Sequence, residues 1–241
     1  MPRITVLIPA YNEEQTILDV LQRVNAQSDE RVDLEILVVD DGSTDETVAL
    51  LERNPHLYTR LLQLPRNGGK GAAVKAGLRE ATGEFVLFQD ADLEYDPADY
   101  SKLFRPVLDH HADLVMGSRL TAPEFTRVHY FWHKLGNRFI TQLFNVVNNT
   151  TFSDIYSCYL LFRRSLVDPE RLKSTGWEQQ AEILSWAARS TPVMYEVPIS
   201  YHGRTYAEGK KIRGRHVIAI VLMILRGRMF STPKPKPEHA G

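Results

Sequence analysis

Phe85-Val86-Leu87-Phe88-Gln89-Asp90-Ala91-Asp92-Leu93-Glu94 passes from an unbroken apolar run to three carboxylates at alternate positions. A short apolar run bounded by polar residues predicts a strand buried on both faces, as in a parallel sheet covered by helices. If the chain stays extended beyond Phe88, then Asp90, Asp92 and Glu94 share one face and can point at one hard cation. Oxygen-only ligands suit Mg2+ or Mn2+ rather than zinc. A lone Asp-x-Asp also fits a solvated acidic turn, so the surrounding chain decides the reading.

The same pattern recurs three times upstream. Apolar segments at residues 4–8, 35–39 and 61–64 alternate with amphipathic stretches at 13–26, 45–52 and 71–81. Asp45 is placed to cap the second of these helices and Gly83 to end the third. Short strands spaced by helices predict an α/β fold, a mostly parallel sheet flanked by helices. A further helix from Asp96-Pro97 and a strand over 113–118 continue the series, after which the alternation stops. Residues 123–149 carry aromatic and basic side chains in helical register, which fits a helix beside a lipid or lipid-like acceptor or a helix on the core. A helix over 177–188 and a strand over 194–199 precede the basic segment 204–215. The end, 231–241, alternates Pro233, Pro235 and Pro237 with lysines and is expected to be disordered. The domain reading is a catalytic unit over 1–212, a basic-flanked apolar helix over 213–230 and a tail over 231–241.

The 241 residues carry 29 basic and 30 acidic side chains, a formal charge of -1. That balance has no footprint for nucleic acid, so any phosphate affinity must be local. Cys158 alone excludes an internal disulfide framework and a cysteine zinc cluster, and fits a reducing compartment. Residues 1–10 read as a first strand rather than a signal peptide. No window reaches the roughly 20 apolar residues of a membrane span. The longest run, 217–225, is flanked by Arg213, Arg215, Arg226 and Arg228. It can lie in the headgroup region with its arginines on anionic lipid, or pack on the core; pattern alone does not separate the two.

In a parallel sheet, ligands bind beyond the carboxyl ends of the strands. Every polar cluster of the first half falls there: Pro9 to Glu13, Asp40-Asp41-Gly42-Ser43, Asn67-Gly68-Gly69-Lys70-Gly71 and the three carboxylates. A nucleotide suits this edge. Tyr11 can cover a base, Asp41 can take ribose or base donors, and Lys70 with the glycine backbone can approach phosphate near a helix start. The glycine loop lacks Walker A spacing, and Gly42 belongs to no Gly-x-Gly-x-x-Gly fingerprint, which sets aside P-loop and dehydrogenase readings. Metal plus nucleotide without either motif points to a nucleotide-sugar site.

Ile8-Pro9-Ala10-Tyr11-Asn12-Glu13-Glu14, Val38-Val39-Asp40-Asp41-Gly42-Ser43-Thr44-Asp45, Asn67 to Ala73 and Gln89 to Pro97 resemble family 2 glycosyltransferases of the GT-A fold. More narrowly, the chain resembles dolichyl-phosphate mannose synthases and related polyprenyl-phosphate glycosyltransferases. Gly117-Ser118-Arg119, Gly136-Asn137, Asp154, Cys158-Tyr159, Phe162-Arg163-Arg164, Glu196 to Ile199 and Gly203 to Ile212 extend the match over about residues 3–215. The resemblance implies a Rossmann-like GT-A sheet with a C-terminal interfacial helix. Pro9, Tyr11, Glu13, Val39 and Asp41 match nucleoside-holding positions, and Lys70, Asp90 and Ala91 are counted with that site. Asp90, Asp92 and Glu94 match the metal and diphosphate site, Glu94 standing where many relatives carry Gln. Asp92, Arg119, Arg204 and Lys210 are the implied catalytic residues; Arg119, Arg138 and Arg204 are the implied acceptor-phosphate ligands. Two departures, Trp177-Glu178-Gln179-Gln180 and Arg213-Gly214-Arg215-His216, lie toward the acceptor side.

The activity so implied is inverting transfer of a hexose to a polyprenyl (dolichyl-type) phosphate, with Mg2+ or Mn2+. GDP-mannose is the leading donor and UDP-glucose the alternative. Such an enzyme works on the cytoplasmic face of a membrane, touching its surface, and can use a membrane-anchor subunit. A glycan acceptor, a non-catalytic nucleotide-sugar-binding subunit and a nucleotidyltransferase are the rival readings. A lipid phosphate has a second pKa of roughly 6, so it is largely dianionic at neutral pH and needs no strong base. A sugar hydroxyl would need a carboxylate base, with Asp154 or Glu182 the residues to suspect; otherwise those two are helix caps or ion-pair members. Residues 201–215 are expected to form a mobile loop that orders over the acceptor. His129 and His133, without a third ligand nearby, read as an interfacial face rather than a metal pair.

Overall fold

The apolar run becomes β4 (Phe85–Phe88), buried at every position. In the computed structural model, which describes residues 1–27, 29–121, 131–203 and 216–227, β4 pairs in parallel with β1 (Arg3–Ala10). On its other side β1 pairs in parallel with β2 (Asp33–Asp40), and β2 with β3 (Arg60–Gln63). Helices α1 (Ile17–Asn25), α2 (Thr47–Arg53) and α3 (Lys70–Glu80) connect them. Helix α1 buries Ile17, Val20, Leu21 and Val24, the i, i+3, i+4, i+7 stripe of a core-facing helix. Each such side chain contributes roughly 1.5–3 kcal/mol.

Local chemistry shifts two predicted boundaries. Asp45 supplies the capping carboxylate to α2, but from outside the helix, accepting the Thr47 N–H at 3.0 Å and its hydroxyl at 2.6 Å. Gly83 does not end α3, which stops at Glu80; it lets the chain pass close to β1, its N–H donating to Thr5 Oγ1 at 2.9 Å. At the same end of the sheet, the buried Glu35 carboxylate accepts the Thr5 hydroxyl at 2.5 Å and the Thr82 N–H at 2.9 Å.

Beyond α4 (Tyr100–His110) and β5 (Leu114–Ser118) the topology departs from simple alternation. Strand β6 (Leu160–Arg163) inserts antiparallel between β4 and β5, and β7 (Met194–Pro198) pairs in parallel with β5. Among the described residues the sheet order is β3-β2-β1-β4-β6-β5-β7. Helix α6 (Gln179–Ser190) is buried over its first ten residues and forms a central support. Helices α5 (Phe131–Asn148) and α7 (His216–Gly227) pack on α6 and on each other. In α7, Ile220 and Ile224 are buried while Ile218, Leu222 and Leu225 face outward, so it both packs on the core and presents an apolar outer face. No helix among the described residues is long and apolar enough to cross a membrane.

Candidate active site

The carboxyl ends of β1, β2 and β4 and the start of α3 border a cleft of about 340 Å3. Pro9, Tyr11, Glu13, Asp41, Lys70, Asp90, Ala91, Asp92 and Glu94 all line it. Val39 does not. It is fully buried in β2, paired with Pro9 and Leu62 across the sheet, so its side chain belongs to the core.

Hydrogen bonds between successive loops hold this near wall. Asn12, in the left-handed region at φ 54°, donates its N–H to Ser43 Oγ at 3.0 Å and accepts the Thr44 N–H at 2.8 Å. Asp41 accepts the Gly68 N–H at 2.9 Å and the Gly69 N–H at 2.8 Å, tying β2 to the glycine loop. Burial pushes the Asp41 pKa up, outweighing those two donors. Gly69 has φ +88°, and a Cβ there would sit 2.8 Å from the Thr175 carbonyl oxygen, which explains why only glycine suits this position.

The three carboxylates do not form the face that an extended segment would provide. The strand stops at Phe88 and residues 91–94 bend. Asp90 instead pairs with Lys70 Nζ, Asp92 accepts the Glu94 N–H at 3.1 Å, and Glu94 accepts the Tyr201 hydroxyl at 2.9 Å. Among the described residues no group of three or more His, Cys, Asp or Glu side chains gathers as a metal site. The expected one-sided arrangement of all three is therefore not the one the bent chain adopts. What remains is an all-oxygen set on one wall, which fits a cation that shares its ligands with a diphosphate and water. Burial alone would lower the Lys70 pKa; the Asp90 carboxylate outweighs it and the net shift is upward. The ammonium also lies 5.4 Å from the centre of the Trp177 ring.

The far wall is assembled by long-range pairs. Arg119, at the end of β5, grips the fully buried Asp154 through Nε at 2.7 Å and Nη2 at 2.9 Å. Asn137 of α5 adds a third donor to that carboxylate at 3.0 Å. Burial pushes the Asp154 pKa up, but the guanidinium prevails and holds it below the usual range. The guanidinium lies 4.9 Å from the centre of the Tyr201 ring. Glu182 is buried in α6 and accepts the Lys173 N–H at 3.0 Å and the Ser174 N–H at 2.8 Å. Both suspected bases are thus structural anchors.

Arg119 lines the cleft; Arg138 is exposed on α5 and is not among the lining residues. Arg204, Lys210 and His129 lie outside the described residues. Sequence reasoning missed Tyr95, Tyr156 and Cys158 as lining residues, while Tyr201, the first residue of the expected acceptor loop, and Trp177, Gln179 and Gln180, singled out as departures from the family pattern, do line the cleft. The Gly71 N–H donates to Thr175 O at 2.9 Å, so the segment before α6 is latched to the glycine loop and the two walls meet there.

A family model, glycosyl transferase family 2, matches residues 5–169. The low-salt glycan biosynthesis hexosyltransferase Agl6 of Haloferax volcanii is 29% identical over 236 residues, covering 96% of this chain and 56% of that protein. The dodecaprenyl-phosphate galacturonate synthase of Rhizobium johnstonii is 27% identical over 243 residues, covering 98% and 69%. The chain thus spans little more than half the length of the first of these. Among solved structures, glucosyl-3-phosphoglycerate synthase from Mycobacterium tuberculosis, in complex with Mn2+, uridine diphosphate and glucosyl-3-phosphoglycerate, superposes with a TM-score of 0.68 at 21% identity, covering 97% of this chain and 81% of that one. S. aureus TarS 1-349 in complex with UDP-GlcNAc gives 0.63 at 18% identity, covering 93% and 66%. At these identities the likeness is one of fold.

Proposed function

The chain belongs to glycosyl transferase family 2, and from that premise we propose that it transfers a hexosyl group from a nucleoside diphosphate to a polyprenyl phosphate, with inversion. The observation that carries this reading is the chemistry of the far wall. Among the described residues its lining groups are Arg119, Tyr156, Cys158, Trp177, Gln179, Gln180 and Tyr201, with no carboxylate. Asp154 and Glu182, the two that could serve a hydroxyl acceptor as base, are held by Arg119 and by backbone N–H groups. An acceptor that is already an anion needs no base. A phosphate oxygen attacks the anomeric carbon, the bond from that carbon to the diphosphate breaks, and the nucleoside diphosphate leaves. The rhizobial relative, by its name a polyprenyl-phosphate sugar synthase, supports this acceptor class.

On the near wall, Tyr11 and Asp41 would hold the nucleoside, and Lys70 would meet the diphosphate. Asp92, with Asp90 or Glu94, would hold a divalent cation. When bound, such a cation neutralises charge on the leaving diphosphate. Residues 1–212 form the catalytic unit in this reading, acting peripherally on the cytoplasmic face of a membrane with 213–230 as a contact helix. GDP-mannose is the donor that the sequence resemblance favours; the uridine nucleotides in the solved neighbours and the galacturonate of the rhizobial relative bring UDP-glucose and UDP-galacturonate into the test.

The experiment is transfer of radiolabelled sugar from each donor into organic-extractable lipid, with polyprenyl phosphate and Mg2+ or Mn2+. Label in the lipid phase that disappears with EDTA is the expected result. Label appearing only in a water-soluble glycan would overturn the acceptor assignment.

A further inference from the structure

The start of α6 carries a stretch of the cleft to which the family pattern gave no role, Trp177-Glu178-Gln179-Gln180. The Gln180 amide Nε2 donates to the carbonyl of Ser157 and, at 3.3 Å, to that of Ile155, the residues on either side of Tyr156. That clamp sets Tyr156 and Gln179 on the far wall together, and both line the cleft. Gln179 is only 4% exposed, and its Oε1 and the Tyr156 hydroxyl are both buried. Among the described residues neither atom has a hydrogen-bond partner. Buried polar atoms in native proteins are nearly always paired, so two unpaired ones on one cleft lining call for a ligand.

The chemistry of the pair names the ligand group. An amide Oε1 only accepts; a phenol, which burial holds protonated here by pushing its pKa well up, both donates and accepts. Alcohol hydroxyls match the two together, whereas a carboxylate offers no donor to Oε1. Charge agrees, since Tyr156, Cys158, Trp177, Gln179 and Gln180 bring no cation to this part of the lining. The two cations that do line the cleft among the described residues, Lys70 and Arg119, are paired with Asp90 and Asp154. Location agrees as well. The Lys70 ammonium, the proposed diphosphate contact, lies 5.4 Å from the centre of the Trp177 ring, so the start of α6 adjoins the place where the sugar leaves the diphosphate.

We propose that Gln179 Oε1 and the Tyr156 hydroxyl bind hydroxyl groups of the donor sugar and select a neutral hexose over a hexuronate. This selectivity rests on the donor reading of the proposed function and narrows its substrate class. It also sets the chain apart from the rhizobial relative, whose name specifies galacturonate.

The test is calorimetric titration of the full chain with Mn2+ and no lipid acceptor, using UDP and GDP, then UDP-glucose against UDP-glucuronate and GDP-mannose against GDP-mannuronate. Each sugar pair differs only in the oxidation of C6. Wild type should bind a neutral nucleotide sugar roughly tenfold or more tighter than its uronate, because a buried acceptor facing a carboxylate stays unpaired. Gln179→Leu and Tyr156→Phe should each weaken binding of that nucleotide sugar by roughly tenfold. Both should leave binding of the nucleoside diphosphate unchanged and the urea midpoint no lower than that of wild type, since the deleted atoms have no protein partner. A uronate bound as tightly as the neutral sugar, or variants with unchanged nucleotide-sugar affinity, would overturn the assignment. A lowered midpoint in both variants would make the two groups structural and overturn it too. Absence of binding to every nucleotide would bring down the donor reading and this selectivity with it, whereas failure with nucleoside diphosphate binding intact removes the selectivity alone.

Discussion

The two walls of the cleft are held together by different means. On the near wall, side chains within a few residues of a strand end bind the backbone of the next loop: Asn12 to Thr44, Asp41 to Gly68 and Gly69. On the far wall, residues distant in sequence meet through buried charge, Arg119 and Asn137 with Asp154, while Lys70 with Trp177 and Glu94 with Tyr201 tie the two walls together. These local hydrogen bonds leave the near-wall carboxylates lining the cleft. The buried pair instead fixes the shape of the far wall and keeps Asp154 off the cleft lining. The contrast extends to titration, for burial raises the pKa of Asp41 while Arg119 lowers that of Asp154.

The largest expected effect breaks the far wall. Asp154→Ala leaves the Arg119 charge without its buried partner and should cost about 3–5 kcal/mol; urea unfolding at neutral pH measures it, and a variant as stable as wild type would remove the pair from the architecture. Asp92→Ala addresses the near wall, where the loss should be chemical. Transfer should fall by about 100-fold or more with the urea midpoint unchanged, and an active variant would discard the diphosphate assignment. Gly69→Ala strikes the latch between the walls. The left-handed backbone and the Thr175 carbonyl together should cost about 1–3 kcal/mol, read as a lowered midpoint; no change would mean that the loop re-forms without strain.

The smallest effect is the pH dependence. Because the folded pKa of Asp154 is depressed, its stabilisation is present above its unfolded value, about 3.9, and is lost as pH falls through the folded one. The stability gap between wild type and Asp154→Asn should therefore narrow on acidification below about pH 4. A gap that widened instead would reverse the sign assigned to this carboxylate.

Legibility in the sequence follows the same division. Strands β1 to β4, their helices and most near-wall residues were readable because they depend on short-range periodicity and on the rule that ligands bind at strand ends. Extrapolating strand geometry past Phe88 failed, since Lys70, twenty residues away, claims Asp90 and the chain bends. Strand β6 is only four residues long and lies between irregular segments, giving no period to detect. Val39 sits within a motif that resembles a nucleoside site, yet its position in β2 directs it to the core.

By itself the sequence determined the α/β class, the edge that bears the site and the glycosyltransferase family resemblance, because hydrophobic period and loop chemistry are local properties. Only the tertiary structure decided which carboxylates line the cleft, that Asp154 and Glu182 are anchors, and that α5 turns one face to Arg119 and the other outward. Those outcomes depend on burial and on partners brought together from distant positions, and the energy of a charge is set by what surrounds it rather than by its neighbours in the chain.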